Sequence, residues 1–281
     1  SLDLDALESG PAQGVWLDPA RRVSGHGRTR RLFDPEAFSP PLSFVTDLAD
    51  RGLAVGAKLG PGIPHEHVPR AAEAQWISQH GDVVEAALWF NAVRRPDVAR
   101  AALILGHDGA PRLPGAADDT LVPGGDAPGA AASSAAELTS ATWESPAAEG
   151  DLLGAVGQYF YEPDGAVIRA GLVTDLAQRI GARLIHPAIA YLSSDTLVHT
   201  PLATAYEVRE VLPHTVKTLK KWVREQDVGT LEIKKRGTDV TPEQLRKQLA
   251  PRGTQRATLV MTRLEQAGKE RRVVLAVNLV H

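Results

Sequence analysis

Residues 14–22 read GVWLDPARR. GVWL, at 14–17, has the composition of a short buried parallel strand. Pro19 stops that strand, because proline cannot donate to a sheet ladder. Asp18 then falls at a carboxyl end, the place where open α/β sheets bind ligands. A carboxylate there can accept hydrogen bonds from an amine or from the amide edge of a base. Pro19 stiffens the turn, and Arg21 and Arg22 are suited to clamping a phosphate. Taken alone, the stretch also reads as a strand ending in an ordinary turn.

Working outward, Ser39-Pro40-Pro41 reads as the N-cap and first turn of a helix. Leu42, Val45 and Leu48 share one face of it, and Gly52 ends it. LAVGAKLG at 53–60 is a second strand candidate, closed by Pro61-Gly62-Ile63-Pro64. AQWISQ (74–79) and VVEAALWF (83–90) flank His80-Gly81-Asp82 and predict a hairpin. RAALIL at 100–105 adds a further strand. This succession predicts the later half of a doubly wound sheet. Thirteen residues precede Gly14. A parallel crossover needs about a dozen residues or more, usually with a helix. The expectation is therefore that the glycine-rich first half of such a sheet lies outside this chain. A half-sheet would leave an edge able to pair with another chain.

Lys58 and Gly62 close the second strand and are expected beside Asp18; Gly62 also reads as a plain tight turn. Glu85 is a lone acid in an apolar strand, either buried and paired or facing solvent. His65-Glu66-His67 has imidazoles two apart. In a proline-flanked loop that reads as a solvated turn rather than a metal site, so no metal is expected.

The composition is that of a globular chain, with 43% hydrophobic and 23% charged residues among 281. There is no cysteine, which excludes a disulfide scaffold, a zinc ribbon and a cysteine nucleophile. That fits a cytoplasmic location. No apolar run is long enough for a membrane span, and SLDLDALESG lacks the features of a signal peptide.

The net charge of −3 conceals an asymmetry. Residues 206–281 carry 16 Lys+Arg against 9 Asp+Glu, a balance of +7; residues 1–205 carry 15 against 25, a balance of −10. A basic module on an acidic body fits a polyanion partner, or simply uneven charge between domains. Lys217, Lys220, Lys221 and Arg224 recur at helical spacing, and Lys234, Lys235 and Arg236 leave a strand into Gly237. Such groups contact phosphates, or form a solvated face. Trp222 reads as core rather than as a stacking platform.

Residues 106–152 are rich in Gly, Pro and Ala and read as a linker. Residues 153–204 read as a connecting segment, with a strand near 154–163 and one helix over about 165–180. From 205 to 281 the pattern is β-α-β-α-β-β. Its first helix spans 215–226, with Val216, Leu219, Trp222 and Val223 inward. The second spans 242–250, capped by Thr241. The module is expected to be ferredoxin-like, with its helices on one face of the sheet.

Several of these stretches together resemble one family: DPARR (18–22), FDPEAFSPPLSFV (33–45), AKLGPGIPHEHVP (57–69), GDVVEAALW (81–89), YFYEPDGAVIRAGL (159–172), LIHPAIAYLSSD (184–195) and IKKRG (233–237). The chain resembles actinobacterial class I methyltransferases with a C-terminal THUMP-like domain. The resemblance implies a Rossmann-like core and S-adenosylmethionine as methyl donor. It also implies RNA as partner, with Asp18 and Pro19 at the substrate-facing strand end. Two features depart from it. The glycine-rich cofactor turn and the acidic ribose-binding residue have no counterpart here. Ala20-Arg21 stands where base-amine methyltransferases carry proline and an aromatic residue that stacks on the base. Methylation at pyrimidine C5 normally needs a cysteine, which this chain lacks. A non-catalytic RNA-positioning role is the alternative.

Overall fold

The computed structural model describes residues 14–20, 22–25, 28–31, 34–106, 135–144, 152–266 and 268–280. The chain divides into two compact units, residues 1–144 with 165–172, and residues 145–164 with 173–281. It is a mixed α/β protein with one large sheet in each unit.

The first unit is built on β1 (Gly14–Leu17), β4 (Ala54–Leu59), β5 (Glu73–Gln79), β6 (Asp82–Phe90), β7 (Arg100–Leu105) and β8 (Ala135–Ser140). They lie in the order β1-β4-β6-β5-β7-β8. β1 pairs parallel with β4, and Leu17 is opposite Ala57. The β5–β6 hairpin is antiparallel and is inserted between β4 and β7. Its turn places His80 (φ +51°) and Gly81 (φ +86°) both in the left-handed region. Two-residue hairpin loops of type I′ require that conformation. β2 (Arg22–Gly25) and β3 (Arg28–Arg31) form a separate small hairpin.

Helix α1 (Leu42–Asp50) buries Leu42, Val45, Leu48 and Ala49. Ser39 is not its cap, contrary to the sequence reading; Pro41 occupies that position. Proline has no side-chain acceptor, and the Ser39 backbone is already paired with Ala20. Glu36 serves instead, accepting from the Ser43 N–H at 3.0 Å. A carboxylate at a helix start satisfies an orphan donor and suits the helix dipole. The Ala20–Ser39 bridge also pins the chain just beyond Asp18-Pro19.

The helix expected over 165–180 is two helices, α2 (Gly165–Arg169) and α3 (Val173–Arg179). Gly171 breaks it at φ +67°. The buried Arg100 side chain donates to the carbonyls of Ala170 (3.2 Å) and Gly171 (2.7 Å). It thus satisfies acceptors that a continuous helix would have used itself.

The second unit holds β9 (Tyr159–Pro163), β10 (Arg183–Leu184), β11 (Leu192–Ser194), β12 (Ala203–Pro213), β13 (Val228–Lys235), β14 (Gln255–Gln266) and β15 (Lys269–Leu279). Their order is β10-β11-β9-β12-β15-β14-β13, with β13 and β14 parallel and every other neighbour antiparallel. Helices α4 (Val216–Glu225) and α5 (Pro242–Leu249) cover one face. There Leu219, Val223, Leu245 and Leu249 pack on Leu259, Met261 and Val274. Phe160, Ile185, Ile189 and Tyr191 cover the other face, over Val260, Val273 and Leu275. The alternation of Leu259, Val260 and Met261 between faces is the two-residue strand period. Burying each such side chain contributes about 1.5–3 kcal/mol.

This arrangement departs from a ferredoxin-like domain in two respects. From β12 onward the element order is β-α-β-α-β-β, not β-α-β-β-α-β. The sheet also continues past β12 through β9, β11 and β10, strands from the segment read as a connector. Val216, expected inside, is 40% exposed. The expected linker falls mostly on residues 107–134 and 145–151, outside the described residues; its 135–140 portion is β8.

Candidate functional site

The parallel pairing of β1 with β4 sets two carboxyl ends side by side. With Leu17 opposite Ala57, Asp18 and Lys58 follow as neighbours. Lys58 Nζ lies 3.7 Å from Asp18 Oδ2 and 3.5 Å from Glu85 Oε2, the latter on β6. The ammonium thus bridges two carboxylates from two strands. Asp18 is 59% exposed, Lys58 35% and Glu85 26%. Pro19 is buried and fixes the turn that presents Asp18. The cluster is open, and its acceptors remain available to an incoming donor.

Gly62 is exposed in the turn after β4. A side chain there would meet only Arg169 Nη1, at 3.9 Å, so the position has room. The Pro61 carbonyl accepts from Trp76 Nε1 at 3.2 Å, which ties the turn to β5. His65 donates from Nε2 to the Arg169 carbonyl at 2.6 Å. Its ring lies against Trp76 and Trp143 at 5.1 and 5.7 Å. That engagement gives His65 a structural place beside the turn. Arg21 lies outside the described residues; Arg22 begins β2, with its side chain likewise outside them.

The sequence reading did not find the Glu73–Arg95–Glu137 network. Arg95 donates through Nε to Glu73 at 2.9 Å and through Nη1 to Glu137 at 2.7 Å. Glu73 is only 2% exposed. The Arg95 hydrogen bond holds the Glu137 carboxyl below its ordinary range, against the opposing effect of burial. The two acids share neither a motif nor a period with Arg95, so no local signal announces them.

In the second unit Lys217, Lys220, Lys221 and Arg224 are all exposed on α4. Lys221 has Glu225 at 3.7 Å. Thr215 caps the helix by accepting from the Thr218 N–H. Trp222 is partly buried against the helix core and donates to Glu210 at 2.9 Å. The strand-end cations differ from one another. Lys235 is exposed. Lys234 is drawn in, with Nζ 2.8 Å from Glu162 and 3.6 Å from Glu232. Burial works against its charge, but Glu162 and the Tyr206 hydroxyl raise its pKa above the ordinary lysine value. Arg236 stacks on Tyr191, 5.0 Å from the ring centroid. Burial pushes the Tyr191 and Tyr206 phenols each up to about 12.

Among known proteins, residues 203–278 match the family model described as THUMP domain-like. The chain is 33% identical over 253 residues to two proteins of Mycobacterium tuberculosis, from strains CDC 1551 and H37Rv, both named uncharacterized S-adenosylmethionine-dependent methyltransferases. The match covers 89% of this chain and 60% of each relative. The chain thus spans 60% of the length of the curated relatives it matches. A crystal structure of a "putative methyltransferase" from Porphyromonas gingivalis W83 superimposes with a TM-score of 0.64 at 19% identity. That likeness covers 96% of this chain and 60% of the other, and it concerns the fold alone. Among the described residues, no helix is long and apolar enough to cross a membrane.

Proposed function

We propose that this chain is the acceptor-binding part of an S-adenosylmethionine-dependent methyltransferase that acts on RNA. The observation that carries the proposal is the placement of Asp18 beside Lys58 at the carboxyl ends of the parallel pair β1 and β4. Ligands of open α/β sheets bind at such ends. A parallel pair continued by an antiparallel hairpin fits the later half of a Rossmann-like sheet. The names of the mycobacterial relatives support methyl transfer, and the THUMP-like match supports RNA.

Asp18 accepts from the amine or amide edge of the substrate. Lys58 bridges the Asp18 and Glu85 carboxylates and holds the two side chains beside one another. Gly62 leaves the adjoining turn open. Methyl transfer depends on alignment more than on proton movement, and fixing the acceptor is what this cluster does. Among the described residues no glycine-rich turn leads from a strand straight into an α-helix, the usual cradle for such a donor's adenosine. Lys217, Lys220, Lys221, Arg224 and Lys235 contact RNA phosphates. Lys234 and Arg236 keep their contacts within the unit and shape the surface behind them. Residues 1–105 and 205–281 act as the catalytic-type and THUMP-like modules.

Photocrosslinking of RNA carrying 4-thiouridine tests the proposal. Crosslinked peptides are expected from α4 and from the segments around Asp18 and Lys58. Crosslinks confined to other surfaces, or none at all, would refute it. Calorimetric titration with S-adenosylmethionine is expected to give no heat with this chain. The alternative, a purely RNA-positioning role, predicts α4 crosslinks without any near Asp18.

A further inference from the structure

Helices α4 and α5 flank an open cavity of about 170 Å³ lined by His214, Thr215, Val216, Leu219, Val240, Gln244, Leu245 and Gln248. Apolar side chains (Val216, Leu219, Val240 and Leu245) and polar ones (His214, Gln244 and Gln248) share its lining. His214 Nε2 is buried and has no hydrogen-bond partner. An unpaired buried nitrogen costs stability, and such groups in native proteins ask for an explanation. Val216, on the same wall, is an exposed large apolar residue. The cavity is smaller than the roughly 300–1,000 Å³ of sites for whole small-molecule ligands. It suits a single planar ring system.

Charge surrounds it. Counted from Val216 at 100° per residue, Lys220, Arg224, Lys217 and Lys221 project at about 40°, 80°, 100° and 140° around α4. The basic arc therefore begins directly beside the cavity wall. On α5, Lys247 is exposed and stands next to Gln244 by the same count, about 60° away. An apolar slot with two exposed amides, cations along α4 and Lys247 on α5 matches one chemistry: an unstacked base on a single-stranded polyanion.

We propose that this cavity takes one unstacked nucleobase of single-stranded RNA. The apolar side chains meet the base face. The Gln244 and Gln248 amides meet its edge, and the α4 lysines meet the flanking phosphates. The inference rests on the RNA-binding reading above and adds to it a base-binding subsite, distinct from phosphate contacts.

The test compares two labelled RNA oligomers, alike except that one lacks all bases, by fluorescence anisotropy with the 281-residue chain. The oligomer with bases is expected to bind about tenfold more tightly than the abasic one. Gln244→Leu and Gln248→Leu are each expected to reduce that preference severalfold while leaving abasic binding and its salt dependence unchanged. Circular dichroism of each variant confirms that it is folded, and Gln248 is on the exposed surface, so at least that variant is expected to fold. Equal binding of the two oligomers by the wild type overturns the subsite but leaves RNA binding in place. So does an undiminished preference in folded Gln248→Leu. No binding of either oligomer overturns the RNA reading itself, and the subsite with it.

Discussion

Replacing Arg95 with alanine separates a structural ion pair from a surface one. Glu73 is 2% exposed, and it accepts from the Arg95 backbone N–H, from Nε and from Nη2. Arg95→Ala removes the last two and leaves a buried carboxylate with one backbone donor. Removing one partner of a buried pair costs about 3–5 kcal/mol. Arg95 itself is 43% exposed, and the backbone donor stays, so the expected cost is near the lower limit, about 3 kcal/mol. In a unit of this size each kcal/mol lowers Tm by about 2–4 °C, giving a fall of about 6–12 °C. Tryptophan fluorescence is the assay, because Trp16, Trp76, Trp89 and Trp143 are in the first unit and Trp222 alone is in the second. Glu73→Gln in the same background is expected to restore about half of the loss, since a neutral amide tolerates burial better than an unpaired charge. A shift in Tm under 2 °C for Arg95→Ala, which is about 0.5–1 kcal/mol, would refute the reasoning.

Three further outcomes follow from particular contacts. Glu137 has its pKa depressed by Arg95, so its contribution is present above the unfolded glutamate value. It is lost as pH falls through the folded value; an acid titration followed by tryptophan fluorescence should lose this contribution in Arg95→Ala. Gly253→Ala would drive a Cβ into the Asp227 backbone carbonyl, which cannot move aside as a side chain can. It is expected to destabilise the second unit by about 3 kcal/mol or more, read by near-ultraviolet circular dichroism of tyrosines that all lie in that unit. Lys58→Met breaks contacts that are partly exposed and longer than a good hydrogen bond, so urea unfolding should change by less than about 1 kcal/mol. Crosslinking of RNA to the Asp18 segment should nevertheless fall.

The sequence was most legible where structure is local. The stripe Leu42, Val45 and Leu48 and the turn at His80-Gly81 follow from short-range periodicity and backbone preference, and both stand in the structure. Asp18 and Lys58 were readable as two strand ends, and parallel pairing alone brings them together. What failed to show depends on distant partners. One helix over 165–180 was a sound reading of its stripe, but Arg100 reaches across some 70 residues to take the carbonyls at the break. Lys234 looked like its neighbours Lys235 and Arg236. Glu162, 72 residues earlier in the chain, is what draws it in. The module from 205 onward was read correctly in element order. Its sheet was underestimated, because β9 to β11 are short and their pairing with β12 is not encoded in any local period.

The salt dependence of RNA binding by the 281-residue chain tests the central claim most directly. Five phosphate contacts from Lys217, Lys220, Lys221, Arg224 and Lys235 predict a slope of log K against log salt of about −3.5 for a single strand. That is a loss of about a hundredfold between 50 and 200 mM salt. Neutralising the four cations of α4 should bring the slope to about −0.7. Flat affinity across this range, or a slope that survives their removal, would contradict the assignment of RNA to this surface.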